Sequence, residues 1–136
     1  MKTYTLDAFF EIGTKEIVGP GSNPEVEKYL KTVGMPSDDD VPWCSAFVNW
    51  VITKNKIKGT GKANARSWLS WGEATDWPEI GDIVVLSRGQ SKWQGHVGFF
   101  LDANNDYIYI LGGNQSNRVG VNRYHISRLL GYRRQK

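Results

Sequence analysis

The hydrophobic pattern changes from helical to strand-like spacing about midway along this 136-residue chain. Val26, Tyr29, Leu30 and Val33 recur at the spacing of one helix face. The later apolar runs are short and bounded by turn residues, as at 83–86, which is typical of strands. Helices followed by strands joined through short turns predict an α+β fold, with N-terminal helices packed on a central antiparallel sheet.

Local signals predict the individual elements. Asn23 can cap a helix whose first residue is Pro24, and Gly34 is a suitable stop. Further helices are predicted over residues 6–12, from Cys44 onward and over 63–71. A turn at 103–106 joins strand-like runs over 97–102 and 107–111 into a hairpin, and segments 119–121 and 129–132 are predicted to be edge strands. We expect residues 1–136 to form one domain.

The composition excludes several classes of protein. Apolar residues make up 40% and charged residues 23% of the chain, which is unlike a disordered protein. The net charge of +3 is modest and no nucleic-acid-binding motif is present, so we expect no nucleic-acid partner. The N-terminus lacks the basic start and apolar run of a signal peptide, and no apolar stretch could span a bilayer. We expect a monomer made in the cytoplasm, without membrane insertion.

The chain contains one cysteine, Cys44, at the predicted start of a helix. The helix dipole and the free N–H groups there favour the thiolate, which is the nucleophilic form. A single cysteine cannot form an intramolecular disulfide or a thiolate metal site, and we expect no metal or cofactor. Two interpretations remain at this point: a buried core thiol, which is common for cysteine, or a catalytic nucleophile.

A cysteine nucleophile needs a base, and the chain has two histidines. His96 lies at the predicted mouth of a strand between Gly95 and Gly98, where the small neighbours leave the imidazole open to a groove. His125 lies in a polar segment that we expect to be exposed surface. His96 is therefore the predicted base.

The predicted hairpin supplies a third polar group for His96. Its register places His96 opposite Gly113 or Asn114, and paired residues share one face of a sheet. The amide oxygen of Asn114 can accept a hydrogen bond from one imidazole nitrogen and so direct the other toward the sulfur. Gln115 and Asn117 are the substitutes if the register differs.

The order of these motifs resembles the papain-like hydrolases of the bacterial cell wall. Cys44 at a helix start is followed by Gly-Asp-Ile-Val-Val at 81–85, Gly-His-Val-Gly-Phe at 95–99 and an amide residue one strand later. The likeness is to the CHAP family (cysteine- and histidine-dependent amidohydrolases/peptidases) and to the NlpC-type endopeptidases. The distance from His96 to Asn114 is similar to that in the CHAP pattern, whereas the NlpC gap is shorter.

This resemblance implies a peptidoglycan hydrolase, an amidase or endopeptidase that cleaves an amide bond by thiol acyl transfer. Cys44 would be the nucleophile, His96 the base and Asn114 its orienting partner. The partner would be the peptidoglycan stem peptide, at the cell wall in the periplasm or outside the cell. An immunity protein or a holin is a further candidate partner.

The candidate substrate contacts are Trp43, Trp93, Gln115 and Asn23, the last in loop 19–23. For the two tryptophans, packing in the core is the alternative. The backbone N–H of Cys44 is expected to stabilise the oxyanion. Two alternatives stay open. One is a non-catalytic module of the same fold that binds the wall or a partner protein; the other is a Cys–His enzyme that transfers the acyl group to an amine.

Overall fold

Three α-helices precede a six-stranded antiparallel sheet in the computed structural model, which describes residues 1–15, 23–35 and 43–136. The helices are α1 (Thr5–Phe10), α2 (Pro24–Thr32) and α3 (Cys44–Lys54), and two 3₁₀ turns span Ala65–Ser70 and Ile126–Arg128. The strands are β1 (Glu73–Thr75), β2 (Ile83–Ser87), β3 (Gly95–Ala103), β4 (Tyr107–Gln115), β5 (Arg118–His125) and β6 (Leu129–Arg134). The predicted α+β fold is confirmed. Most of the proposed substrate loop, residues 19–22, lies outside the described residues.

The helices begin where the local chemistry favours them. The Asn23 side chain accepts a hydrogen bond from the Glu25 N–H at 2.8 Å, and Pro24 occupies the first helical position. The expected N-terminus of α2 is therefore confirmed. The predicted helix over 63–71 is a shorter 3₁₀ turn. Within the described ranges, no helix is long and apolar enough to cross a membrane.

The strands form a sheet in the order β1-β6-β2-β3-β4-β5. The hairpin of β3 and β4 has the expected register at Phe99, which lies opposite Leu111, but nearer the turn the register shifts by one residue between Phe100 and Asp102. Strand β5 lies at one edge, as expected for residues 119–121. The prediction of an edge strand over 129–132 was wrong, because β6 lies between β1 and β2. The short strand β1 occupies the edge instead.

Apolar side chains are buried on both faces of the sheet. The larger cluster packs α2 and α3 against the sheet and contains Phe47, Val51, Phe99 and Leu111. A smaller cluster includes Val84, Phe100, Ile108, Ile110 and Tyr132. Because the larger cluster fixes α3 against β3 and β4, it brings the start of α3 to the strand mouth that carries His96.

Close approach of β4 to α3 depends on Gly113. A Cβ atom added there would lie 2.7 Å from the Phe47 Cβ and 2.8 Å from the Trp43 ring. We expect Gly113→Ala to lower the free energy of unfolding by about 1–3 kcal/mol, as overpacked core variants do. Urea unfolding measures this. Gly120→Ala is the control, because its nearest contact would be an ordinary 3.9 Å; equal losses in the two variants would contradict the packing argument.

Candidate active site

Cys44 is the first residue of α3, and its side chain is only 7% exposed. Its sulfur accepts hydrogen bonds from the His96 side chain and from the backbone N–H groups of Ser45 and Val97. Two of these donors belong to β3 and one to the first turn of α3. The position of the thiol therefore depends on how α3 packs against β3.

The pKa values of Cys44 and His96 shift in opposite directions. Burial raises the pKa of the Cys44 thiol, but the hydrogen bond from His96, its charge and the two backbone N–H groups together bring that pKa below its ordinary value. Burial lowers the pKa of His96, but the hydrogen bond and charge of Cys44, with the Gln115 hydrogen bond, raise that pKa above its ordinary value, against the opposing charge of Arg128. Both shifts stabilise a thiolate–imidazolium pair.

Gln115 fixes which nitrogen of His96 faces the sulfur. Its Oε1 lies 2.9 Å from the His96 Nε2, and its Nε2 donates to the carbonyl oxygens of Ile110 at 3.1 Å and Gly120 at 2.7 Å. Because those carbonyls can only accept, the amide oxygen must point toward the ring. The His96 Nε2 therefore carries a proton and donates it to Gln115, which leaves Nδ1 for Cys44.

A β-bulge explains why the partner of His96 is Gln115 and not the expected Asn114. Strand β4 pairs regularly with β5 as far as Gly112, and the register then shifts before Gln115 pairs with Arg118. Asn114 has a φ of +56° within this bulge. The inserted residue displaces the Asn114 side chain and brings Gln115 to the ring. The expected partner is thus corrected to one of the two substitutes; the other, Asn117, lies exposed in the following turn.

Tyr124 is a neighbour of His96 that the sequence analysis missed. Its hydroxyl lies 3.3 Å from the His96 Nε2, and the two ring centroids are 5.2 Å apart. Burial raises the pKa of Tyr124 to about 12, so the phenol stays neutral. The polar sequence around it gives no signal for this position; the structure shows that residues 121, 123 and 125 of β5 are more exposed than 120, 122 and 124.

Two cavities meet at Cys44. The first, of about 250 Å³, is mostly apolar, and the residues lining it include Met35, Ala63, Ala65 and Trp93. The second, of about 170 Å³, is polar, and its lining includes His96, Asn114, Tyr124 and Arg128. Arg88 and Gly95 line both. A substrate that extended through both cavities would place its central bond at the Cys44 sulfur.

Of the expected substrate contacts, Trp93 lies at the rim of the apolar cavity and has an exposed side chain. Its side chain is 72% exposed. The segment that carries it is held by Arg66, whose Nε donates to the Gln94 carbonyl and whose Nη2 donates to the Ser91 carbonyl, both at 2.7 Å. The rim is therefore tied to the 3₁₀ turn beneath it.

The other expected substrate contacts have different surroundings. Trp43 is fully buried and its ring stacks on Tyr29 at 5.7 Å, so its expected place in a groove is corrected to the core. Asn23 caps α2, and its amide donates to the Lys15 carbonyl at 2.9 Å. Gln115 is buried behind His96.

The second histidine, His125, is exposed, and its ring forms a hydrogen bond with the Ser127 hydroxyl at 2.8 Å, away from Cys44.

No group of three or more His, Cys, Asp or Glu side chains that could hold a metal ion occurs in residues 1–15, 23–35 and 43–136.

The opposite pKa shifts predict that Cys44 stays reactive in mild acid. The lowered thiol pKa keeps the thiolate present as the pH falls, and the raised imidazole pKa keeps His96 protonated as the pH rises. At pH 6 an ordinary thiol is only about 0.3% thiolate. We expect iodoacetamide to alkylate folded protein about 10-fold or more faster than urea-unfolded protein at that pH. Mass spectrometry of the alkylated protein measures both rates. Equal alkylation rates for folded and unfolded protein would contradict the thiolate–imidazolium pair.

The site contains a buried cysteine at the start of a helix, and this cysteine is hydrogen-bonded to a histidine on an antiparallel strand. A side-chain amide lies behind the histidine. These features place the protein among the α+β proteins that carry a Cys–His pair. Within that class, the CHAP domain model matches residues 36–114, more than half of the chain. The protein therefore belongs to the CHAP family, whose domains are generally hydrolases that act on peptidoglycan. The match includes Cys44 and His96 and ends one residue before Gln115. Comparison with curated protein sequences gave no significant match.

Proposed function

We propose that the protein is a peptidoglycan hydrolase that cleaves an amide bond of the bacterial cell wall by thiol acyl transfer. The observation that carries the proposal is the hydrogen-bonded Cys44–His96 pair, with Gln115 orienting the imidazole, at the meeting point of two cavities. Membership of the CHAP family supports peptidoglycan as the substrate. The proposed place of action is the cell wall, in the periplasm or outside the cell.

In the proposed first half-reaction, the Cys44 thiolate attacks the carbonyl carbon of the scissile amide. A carbon–sulfur bond forms while the carbonyl electron pair moves onto oxygen. The tetrahedral intermediate collapses, the carbon–nitrogen bond breaks, and the His96 imidazolium gives its Nδ1 proton to the leaving amine. The products are a free amine and a thioester on Cys44.

In the second half-reaction, the now neutral His96 takes a proton from water, which attacks the thioester carbon. Collapse of the second intermediate breaks the carbon–sulfur bond and regenerates the thiolate beside the imidazolium. Gln115 serves both halves, because its oxygen holds the His96 Nε2–H and keeps Nδ1 directed at the reacting atoms. The net reaction converts an amide and water into a carboxylic acid and an amine.

The proposed oxyanion site is the backbone N–H of Cys44. It lies in the first turn of α3, where backbone N–H groups have no partner within the helix. The helix dipole adds positive potential at the same end. Both features favour the negative oxygen of a tetrahedral intermediate over the neutral carbonyl.

Mass spectrometry of fragments released from purified cell walls tests the proposal and identifies the bond. We expect new amine and carboxyl termini at one type of amide bond, whether between lactate and L-alanine, within the stem peptide or in a cross-bridge. Cys44→Ala should lower release by at least about a thousandfold with an unchanged circular dichroism spectrum. Release at the wild-type rate by Cys44→Ala, or no release by the wild type, would contradict the proposal.

A further inference from the structure

We propose that Arg128 and Arg88 bind a free carboxylate that the substrate carries close to the scissile amide. This inference rests on the proposed function, because it assumes that the bond to be cleaved reaches the Cys44 sulfur. It assigns a chemical class of substrate to the polar cavity beside the catalytic pair, which is lined by both arginines, Asn114 and Tyr124.

Arg128 is held in place with donors to spare. Its Nε and Nη2 both donate to the Ser87 carbonyl, at 3.1 and 2.9 Å, and its guanidinium lies 5.0 Å from the centre of the Tyr124 ring. These contacts use two of the five N–H groups of an arginine. The side chain that carries the remaining donors already has a fixed orientation at the cavity wall. Binding a ligand would therefore cost little side-chain entropy.

Neither arginine has an acidic partner in the described part of the chain. Ion pairs in that part of the chain are formed by Lys2, Lys28, Lys54 and Arg134, and most of the other lysines and arginines have none. The guanidinium of Arg88 makes no hydrogen bond with the described residues, although this side chain lines both cavities. Arg88 and Arg128 differ from the other unpaired cations because both line the small cavity at the Cys44 sulfur, where no acidic side chain of the described residues offsets their charge.

The chemistry of the cavity favours a carboxylate over a neutral group. A guanidinium presents parallel N–H donors that match the two oxygens of a carboxylate. The neutral phenol of Tyr124 and the amide of Asn114 can add hydrogen bonds. Anionic groups near an amide bond of a stem peptide are carboxylates, and a volume of about 170 Å³ suits a group of that size.

The thiolate of the catalytic pair supplies a second reason. The pair is neutral overall, but a carboxylate that lies closer to the sulfur than to His96 is repelled by the thiolate, and water screens this repulsion weakly in a partly buried site. Arg128 and Arg88 line the same cavity as the Cys44 sulfur and would offset this repulsion. An anionic substrate could then place its neutral amide at the sulfur.

Matched probes test the carboxylate. Once the cleaved bond is known, muropeptides containing it are made with each free carboxylate in turn replaced by a carboxamide. We expect one replacement to lower kcat/KM about 10-fold or more, mainly through KM. Arg128→Gln should cause a similar loss on the carboxylate probe and no further loss on the carboxamide probe, and Arg88→Gln a smaller loss of the same kind.

Arg123→Gln is the matched control. Arg123, in β5, resembles Arg128 because its guanidinium lies over a tyrosine ring, 4.2 Å from the centre of Tyr107, but it does not line the cavities at Cys44. We expect this variant to retain the wild-type preference for the carboxylate probe. Equal cleavage of all carboxylate and carboxamide probes by the wild type would overturn the inference while leaving the hydrolase proposal intact.

Binding to the inactive Cys44→Ala protein separates the two proposals. Calorimetry with the same probes measures recognition without cleavage, and we expect the carboxylate form to bind about 10-fold or more tightly than its carboxamide. Cys44→Ala,Arg128→Gln should lose most of this preference, and the further change Arg88→Gln should remove the rest. Equal binding of both forms to Cys44→Ala would overturn the carboxylate site, whereas absence of wall cleavage by the wild type would overturn the hydrolase proposal alone.

Discussion

Replacing His96 with alanine should lower amide cleavage by about a thousandfold or more and remove the acid-stable reactivity of Cys44. The imidazole donates the hydrogen bond and charge that bring the thiol pKa below its ordinary value, and burial alone raises that pKa. Without His96 the thiol should stay protonated at neutral pH, so both attack on the substrate and alkylation by iodoacetamide should slow. Cleavage of purified walls and alkylation at pH 6 measure the two effects separately.

His125→Ala is the matched control for this prediction. His125 is exposed and bonded to Ser127, so its loss should leave both rates near the wild-type values. A thermal unfolding curve establishes that His96→Ala remains folded. If folded His96→Ala were alkylated at pH 6 as fast as the wild type, the ion pair would be absent and the assignment of His96 as the base would fail.

Gln115→Leu should lower kcat by about 10- to 1000-fold and leave KM nearly unchanged. The variant removes the acceptor of the His96 Nε2–H, so the imidazole loses the contact that directs Nδ1 toward the sulfur. It also leaves the Ile110 and Gly120 carbonyls without the amide donor. We expect the free energy of unfolding to fall by about 2–4 kcal/mol, because each buried polar group left without a partner costs about 1–3 kcal/mol.

Asn114→Ala distinguishes the two adjacent amides. Asn114 lines the polar cavity but makes no hydrogen bond with His96, so its removal should not shift the pH dependence of kcat. Gln115→Leu should shift it, since the Gln115 hydrogen bond helps raise the pKa of His96. The alkaline limb of the profile should move to lower pH in Gln115→Leu. A shift in Asn114→Ala with none in Gln115→Leu would return the orienting role to Asn114.

Several parts of the fold and site could be predicted because short-range chemistry determines them. Asn23 and Pro24 supply a cap and a first helical residue within two positions, and the start of α2 followed. The loop between β3 and β4 is short and rich in turn residues, so the pairing of these strands could be predicted to within one residue, which is the size of the shift between Phe100 and Asp102. Cys44 and His96 were found because the chain has one cysteine and two histidines.

The partner of His96 could not be predicted from the hairpin alone. A regular register extended from the Phe99–Leu111 pair places Asn114 opposite His96, and one extra residue in β4 changes the side chain that reaches the imidazole. The left-handed backbone of Asn114 is tolerated by asparagine, but asparagine also occurs in ordinary turns and strands. The bulge depends on pairing with β5, which local sequence does not specify.

Burial and strand order also depend on distant parts of the chain. Trp43 precedes Cys44, a position that favours a groove contact, but its ring stacks on Tyr29 and is fully buried in the larger apolar cluster. Strand β6 became interior because β1, only three residues long, pairs with it over Glu73–Thr75. So short a strand has too little pattern to be recognised before its partner is known.

The two hydrogen bonds from Arg66 to the Ser91 and Gln94 carbonyls have a consequence for how a substrate enters. They tie the segment that carries Trp93 to the 3₁₀ turn, so this rim is already ordered in the free protein. The entropy lost in ordering it is part of the cost of folding and not of association. A substrate should therefore bind against a rim that does not rearrange. Its association rate should depend more on diffusion and charge than on slow closure of a loop.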